Sequence, residues 1–332
     1  MTTRFLVHQA RFHVGDTLWL TPLLRAIHRF FPGAHTTVVG PPVARELFVG
    51  NPHVQEIVPY VPERGMERAA RRRVLAALAG APFDVALFAF ARRPESRWLA
   101  KALAAAGVPW RINLEYVDPA LERTLPPWLT HEAWFTWGAQ PSPRMLLHAL
   151  DPLLGPDRPD WTEDDRRVEF YISSEARRQA DELLVERGIG GDEPFAILAP
   201  GGRSSRRWPA RSFARLAFRL TAEHGLHVLI EGSPGELDLL KKVAATAATD
   251  PLDVFAALLE RAALLVSNDS APIHLAEATG TPTLYFAQRE KLIHSHPAGD
   301  RCTALWDEAE NRLSRITVRQ ALEAARELLT AR

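Results

Sequence analysis

Four short stretches of this 332-residue chain combine residue types that can hold an anion or take a proton from a hydroxyl. His13-Val14-Gly15-Asp16-Thr17 follows one apolar run and opens an amphipathic one. A glycine there lets a ligand approach the backbone, and a carboxylate at a helix start can act on whatever binds. Asp and Thr are also common helix N-caps, so a purely structural role fits the same residues. No GxGxxG follows the apolar run, so this is not a dinucleotide fingerprint. The stretch Ala199-Pro200-Gly201-Gly202-Arg203-Ser204-Ser205-Arg206-Arg207-Trp208-Pro209 offers backbone donors, hydroxyls and guanidinium forks, the groups a phosphate ester requires. It lacks GxxxxGK[ST], which excludes a P-loop NTPase, and an exposed basic loop is the alternative. Ser267-Asn268-Asp269-Ser270-Ala271-Pro272-Ile273-His274 again runs from a strand end into a helix start. Proline suits the first helical turn, and the amides of Ser270 and Ala271 with the helix dipole form an anion site. Here too Asp269 or Ser270 can be a simple cap, and His274 a core histidine. In Glu231-Gly232-Ser233-Pro234-Gly235-Glu236, Glu236 can accept hydrogen bonds from ribose hydroxyls or belong to a surface turn.

Short apolar runs alternating with amphipathic segments must position these stretches, the pattern of a parallel sheet wrapped by helices. The spacing predicts strands at Phe5–Val7, His35–Val39, Gln55–Val58 and Asp84–Phe90, with helices at about 17–31, 42–49, 66–79 and 95–106. In the second half it predicts strands at Phe195–Ala199, His227–Glu231, Leu264–Ser267 and Thr283–Phe286. Helices at about 174–188, 211–224, 235–247, 253–262 and 271–279 accompany them, and Thr317 caps a last one at 317–331. Residues 117–162 break the rhythm with prolines and tryptophans around a helix at about 143–154. The fold class is α/β: two Rossmann-like, doubly wound domains facing a central cleft, with ligands expected at the carboxyl ends of the strands. Residues 1–162 form the first domain and 163–312 the second. Residues 313–332 form a terminal helix packing back toward the first.

Composition excludes several classes. Hydrophobic residues are 46% and charged residues 24%, which rules out a disordered chain or a fibrous repeat. Lys+Arg and Asp+Glu balance at 40 each, so no global field draws the chain to nucleic acid or an acidic bilayer. A single cysteine, Cys302, permits no internal disulfide and fits a reducing compartment. Val74–Ala91 is interrupted by Gly80, Pro82 and Asp84, well short of the uninterrupted ~20 apolar residues of a spanning helix. Phe5-Leu6-Val7 is too short an apolar core for an export signal. There is no HExxH, CxxC or Asp-x-Asp, so no metal site is expected, and no GxSxG elbow.

Taken together, Gly15-Asp16 with Thr21-Pro22-Leu23-Leu24-Arg25-Ala26, Gly50-Asn51-Pro52-His53-Val54 and Phe83-Asp84-Val85 resemble the first half of glycosyltransferase family 9, the ADP-heptose:lipopolysaccharide heptosyltransferases. Pro200-Gly201 through Arg206-Arg207-Trp208-Pro209 resembles that family's donor-site motifs. So does Asn268-Asp269-Ser270 with Pro272, His274, Ala276, Gly280 and Pro282. The resemblance covers most of the chain in the right order and is weakest across 110–165. It departs from the usual pattern at Ala10, where a basic residue is common, at Arg206 for lysine, at Ala271 for glycine, and at Phe286-Ala287-Gln288.

The resemblance implies a GT-B fold and an inverting, metal-independent transfer of a heptose or related sugar from an ADP-linked donor, with no cofactor. On it Asp16 is the general base and Gly15 belongs to the donor site. Arg206 and the amides of Ser270 and Ala271 face the diphosphate, Glu236 holds the ribose and Asp269 contacts the sugar, with Gly201, Gly202, Ser204 and His274 in the same donor site. Domain closure completes the site. Arg11, His13, Arg92 and Arg93 are the expected acceptor contacts, with Arg97 near them. The implied partners are a nucleotide sugar and a glycan or glycolipid acceptor of lipopolysaccharide biosynthesis, handled in the cytoplasm or at the inner face of the inner membrane. A small natural-product acceptor, a catalytically silent relative that binds nucleotide or glycan, and a nucleotide-sugar epimerase are the competing readings.

Overall fold

The computed structural model describes residues 2–10, 13–61, 66–89, 92–116, 124–135, 142–156, 158, 160–202, 207–231, 246–248 and 251–331. The chain divides into two compact units, Met1–Val168 and Glu169–Arg332.

The first unit runs β1 (Arg4–His8), α1 (Val14–Leu18), α2 (Thr21–Phe30), β2 (His35–Gly40), α3 (Ala44–Leu47), β3 (Glu56–Pro59) and α4 (Glu67–Leu78). It continues with β4 (Val85–Ala89), α5 (Pro94–Ala105), β5 (Trp110–Tyr116), β6 (His131–Phe135), α6 (Ser142–Leu147) and α7 (Asp151–Leu154). Its six strands are parallel, in the order β3-β2-β1-β4-β5-β6. The helix expected over 17–31 is two helices, and Pro22 is the reason. It has no N–H to donate to the Leu18 carbonyl, and the Thr21 hydroxyl takes that carbonyl instead at 2.9 Å. Strands β5 and β6 were not expected. The former alternates polar Arg111, Asn113 and Glu115 with apolar Ile112 and Leu114, and the latter lies within the proline- and tryptophan-rich stretch.

The second unit runs α8 (Ser174–Glu186), β7 (Phe195–Ala199), α9 (Ala210–His224), β8 (His227–Glu231), β9 (Thr246–Ala248) and α10 (Leu252–Arg261). Then come β10 (Leu264–Asn268), α11 (Ala271–Thr279), β11 (Thr283–Phe286), α12 (Arg289–Ser295), β12 (Cys302–Leu305) and α13 (Val318–Thr330). Its parallel sheet has the order β12-β11-β10-β7-β8-β9, the same winding as the first. Residues 246–248 are strand where the sequence pattern suggested the end of a helix; the rest of that expected helix, 235–245, lies outside the described residues.

The units part at Val168/Glu169 rather than at 162/163. Residues 164–167 stay with the first unit because Arg25 donates to the carbonyls of Asp164, Asp165 and Arg167, and Arg29 pairs with the Asp165 carboxylate at 2.8 Å. The terminal helix α13 is part of the second unit's own core. Ala321, Leu322, Ala325 and Leu328 pack with Trp208, Phe213, Leu216 and Phe286, so its apolar face is used there. Thr317 caps it as expected, in a capping box with Gln320.

His8, at the end of β1, is 1% exposed and donates Nδ1–H to the Val39 carbonyl at 3.0 Å. Burial lowers its pKa from 6.5 to about 4, an effect that the Val39 and Glu95 carbonyls only partly offset. The unfolded chain therefore binds this proton first as pH falls. His8 stabilises the fold fully above pH ~6.5, and that stability is lost as pH falls toward 4. Between pH 7 and 5 the loss is about 2 kcal/mol from this group alone. Urea unfolding at the two pH values measures it, and His8→Gln should shrink the difference by that amount. An unchanged difference would remove His8 as the source.

Candidate functional site

A doubly wound sheet binds ligands where its strand order reverses, just beyond the carboxyl ends of the two strands that flank the reversal. In the first unit those strands are β1 and β4; in the second they are β7 and β10. Three of the motif loops follow β1, β7 and β10, Arg92 and Arg93 follow β4, and Glu236 comes after β8 in the sequence.

In the first unit Asp16 lies in the first turn of α1, behind His13 in extended conformation. The turn is fixed from two sides. The Thr17 hydroxyl and amide both donate to the His13 carbonyl, at 2.9 and 3.0 Å. Gln9, only 5% exposed, donates its side-chain amide to the Asp16 carbonyl at 2.7 Å and its own N–H to Val39. Asp16 is half-buried and His13 exposed, while Gly15 has helical backbone within the same turn. Gln9 escaped the sequence reading; a polar residue directly after a buried strand was the available signal.

After β4, Arg92 and Arg93 have different surroundings. Arg92 makes a two-pronged pair with Glu132, Nε at 2.9 Å and Nη2 at 2.8 Å, and also donates to the Thr124 carbonyl. The Glu132 side chain, on β6, is 5% exposed and accepts from Asn113 as well, at 3.1 Å. The Arg92 guanidinium ties β6 and the segment before it to the loop after β4. Arg93 is exposed at the N-cap of α5, and Arg97 donates to the Arg92 carbonyl. Arg11 lies outside the described residues.

In the second unit the β7 and β10 loops meet. Gly202 adopts φ +122°, which an L side chain rarely tolerates, so glycine is required for its backbone. Ser270 occupies the N-cap of α11 with extended backbone, but its side chain makes no capping hydrogen bond. It donates instead to the Asn268 carbonyl at 3.1 Å. Pro272 sits in the first turn as expected. The amides of Ser270 and Ala271 therefore have no acceptor among the described residues, at the positive end of a nine-residue helix. Asp269 is fixed beside them by its own amide, which donates to the Phe286 carbonyl at 3.0 Å. His274 is 5% exposed, with Nδ1 3.9 Å from the buried Glu277 carboxylate, so the structure places it inside α11's packing face.

Two residues named only as parts of motifs organise this corner. Asn268, fully buried, donates to the carbonyls of Pro200 at 2.7 Å and Gly201 at 3.1 Å, and its Oδ1 accepts from the Trp208 N–H at 2.8 Å. Trp208 stacks on Phe286 and donates its indole N–H to the Ile316 carbonyl. An asparagine ending a buried strand was the signal for the first, since asparagine is rare in strands. Gly201 and Gly202 are thus brought beside Ser270 and Ala271. Ser204, Arg206 and Glu236 lie outside the described residues. Among the described residues no group of three or more His, Cys, Asp or Glu could hold a metal ion, and no helix is long and apolar enough to cross a membrane.

Residues 156–323 match the model of glycosyltransferase family 9 (heptosyltransferase). Among solved structures, the chain is similar to a family 9 glycosyl transferase from Veillonella parvula, with 22% identity, TM-score 0.82, and 98% and 97% of the two chains covered. It is also similar to the E. coli ADP-heptose lps heptosyltransferase II, with 20% identity, TM-score 0.77 and 98% of each chain covered. E. coli heptosyltransferase WaaC with ADP-2-deoxy-2-fluoro heptose follows at 18% identity and TM-score 0.70, over 98% and 99% of the chains. No curated protein matches.

Proposed function

Because the chain belongs to glycosyltransferase family 9 and has the GT-B fold, we propose that it is an inverting enzyme that moves a heptose or related sugar from an ADP-linked donor to an acceptor hydroxyl. The observation that carries the donor half is the pair of amides at Ser270 and Ala271, which have no acceptor among the described residues, beside the Gly201-Gly202 loop. A diphosphate placed there is held by backbone dipoles that need no reorganisation as the leaving group gains charge. Arg206 adds its guanidinium to that diphosphate and Glu236 accepts from the ribose. Charge stabilisation by these groups requires no metal. Asp16 takes the acceptor proton as the sugar carbon passes through an oxocarbenium-like state. The reaction then releases a nucleoside diphosphate. The same reading puts the enzyme in the cytoplasm.

The acceptor has two readings. A lipopolysaccharide-core glycan follows from the family, whereas a small neutral acceptor is favoured by the Arg92–Glu132 pair, which takes one cation out of the expected basic groove.

Thermal unfolding with ADP, UDP, GDP, dTDP and CDP tests the donor. A ligand at about 100 times its Kd adds roughly 2.7 kcal/mol, well resolved as a shift in Tm. Selective stabilisation by ADP is the expected result. Preference for UDP or dTDP would keep transferase chemistry but replace the donor, and no response to any nucleotide would leave a silent relative as the better account.

A further inference from the structure

The three hydrogen bonds of Asn268 cross the line where the second sheet reverses. Its side chain leaves the end of β10 and reaches both ends of the loop that follows β7: Pro200 and Gly201 on one side, Trp208 on the other. We propose that Asn268 is the positioning residue of the donor site, fixing the distance between the Gly201-Gly202 backbone and the amides of Ser270 and Ala271 so that both engage one diphosphate.

The chemistry of the side chain supports this assignment. Only a carboxamide offers two donors and an acceptor from one short planar group, and three of its four hydrogen-bonding positions are used here. Aspartate keeps the bond to the Trp208 amide but sets a negative charge against two carbonyls. Alanine removes all three bonds and leaves a buried amide and buried carbonyl groups unsatisfied. Asn268 also shapes the other side. Its own carbonyl accepts from Ser267 Oγ at 2.8 Å and Ser270 Oγ at 3.1 Å, drawing the Ser270 hydroxyl away from the helix amides it would otherwise cap. One residue therefore brings the first loop in by its side chain and keeps the second loop's amides uncapped by its main chain. Gly202, bent to φ +122°, lies against it; an added Cβ there would stand 3.7 Å from the Asn268 Cβ and 3.8 Å from that of Ser270.

The proposal rests on the donor site described above, and its test separates the two. Asn268→Asp, Asn268→Ala and, as a control, Leu220→Ala in the same apolar core are compared with the unaltered chain. Hydrogen exchange of the Trp208 amide reports the positioning without nucleotide. It should speed up at least tenfold in Asn268→Ala and stay slow in Asn268→Asp, which keeps that one bond. Calorimetric ADP affinity, measured well below each Tm, should fall at least tenfold in both Asn268 variants and stay within threefold in Leu220→Ala despite its lower Tm. Unchanged exchange at Trp208 in Asn268→Ala overturns the proposal, as does wild-type ADP affinity in a folded Asn268→Asp. Equal losses of affinity in Leu220→Ala overturn it too, because stability alone then explains them. If the unaltered chain binds no nucleoside diphosphate, the donor assignment falls and with it Asn268's role toward a diphosphate, while the exchange result still decides whether Asn268 sets the loop.

Discussion

Asp16→Asn is expected to slow sugar transfer by about 10²–10⁴-fold and to leave nucleotide affinity within about twofold. The substitution keeps size and shape, so the hydrogen bonds that fix the turn, from Gln9 to the Asp16 carbonyl and from Thr17 to the His13 carbonyl, are main-chain contacts that survive it. What is lost is a basic oxygen able to take the acceptor proton. The nucleotide is proposed to bind at Ser270 and Ala271 in the other unit, so its affinity should not follow. Initial rates with the nucleotide sugar identified by thermal unfolding, together with calorimetry of the released nucleotide, separate the two quantities. Transfer at the unaltered rate would remove Asp16 as the base. A parallel fall in nucleotide affinity would mean that Asp16 belongs to the donor site instead.

The loops that carry these groups were legible because glycines and polar residues follow apolar runs, and the winding of the sheet places such loops at the reversal of strand order. Asp16, Gly201, Gly202, Asp269, Ser270 and Ala271 all lie at strand-to-helix junctions of that kind. The pattern did not show β5 and β6. Arg111, Asn113 and Glu115 point polar groups to one side of β5, and two of them meet partners that only the folded sheet supplies: Arg111 donates to the Trp128 carbonyl and Asn113 to Glu132. Arg92 illustrates the same limit. Its place after β4 was readable from the sequence, whereas its pairing with a glutamate forty residues on was not, because ion pairs across strands leave no periodic trace. His274 reads equally well as core or ligand residue, and its place beside Glu277 in the packed side of α11 comes only from the fold. Gln9, which stands outside every motif, and Asn268, present in one only as a neighbour of Asp269, act through main-chain groups of other residues, a role that residue type alone does not record.

Trp208→Ala should destabilise the second unit by about 3–5 kcal/mol, the usual cost of removing a fully buried tryptophan. The side chain is 1% exposed, stacks on Phe286 with ring centres 4.2 Å apart, and meets Phe213 edge-on at 5.0 Å. Its Nε1 donates to the Ile316 carbonyl at 2.8 Å, just before Thr317 caps α13. Truncation therefore opens a cavity under β11, leaves a buried carbonyl unpaired and loosens the start of the terminal helix together. Trp208→Phe keeps a ring in the stack but still loses the hydrogen bond and some volume, so it should cost less, about 1–3 kcal/mol. Scanning calorimetry resolves where the loss falls: the transition of the second unit should move to lower temperature and that of the first should not. A loss below about 1 kcal/mol in Trp208→Ala would show that the indole is not the anchor. The loop ending at Trp208 would then owe its position to Asn268 alone. The expected loss instead makes the β7 loop doubly held, by an amide at its base and by an aromatic ring driven into the core, so that a loop rich in glycine and arginine begins and ends on rigid structure.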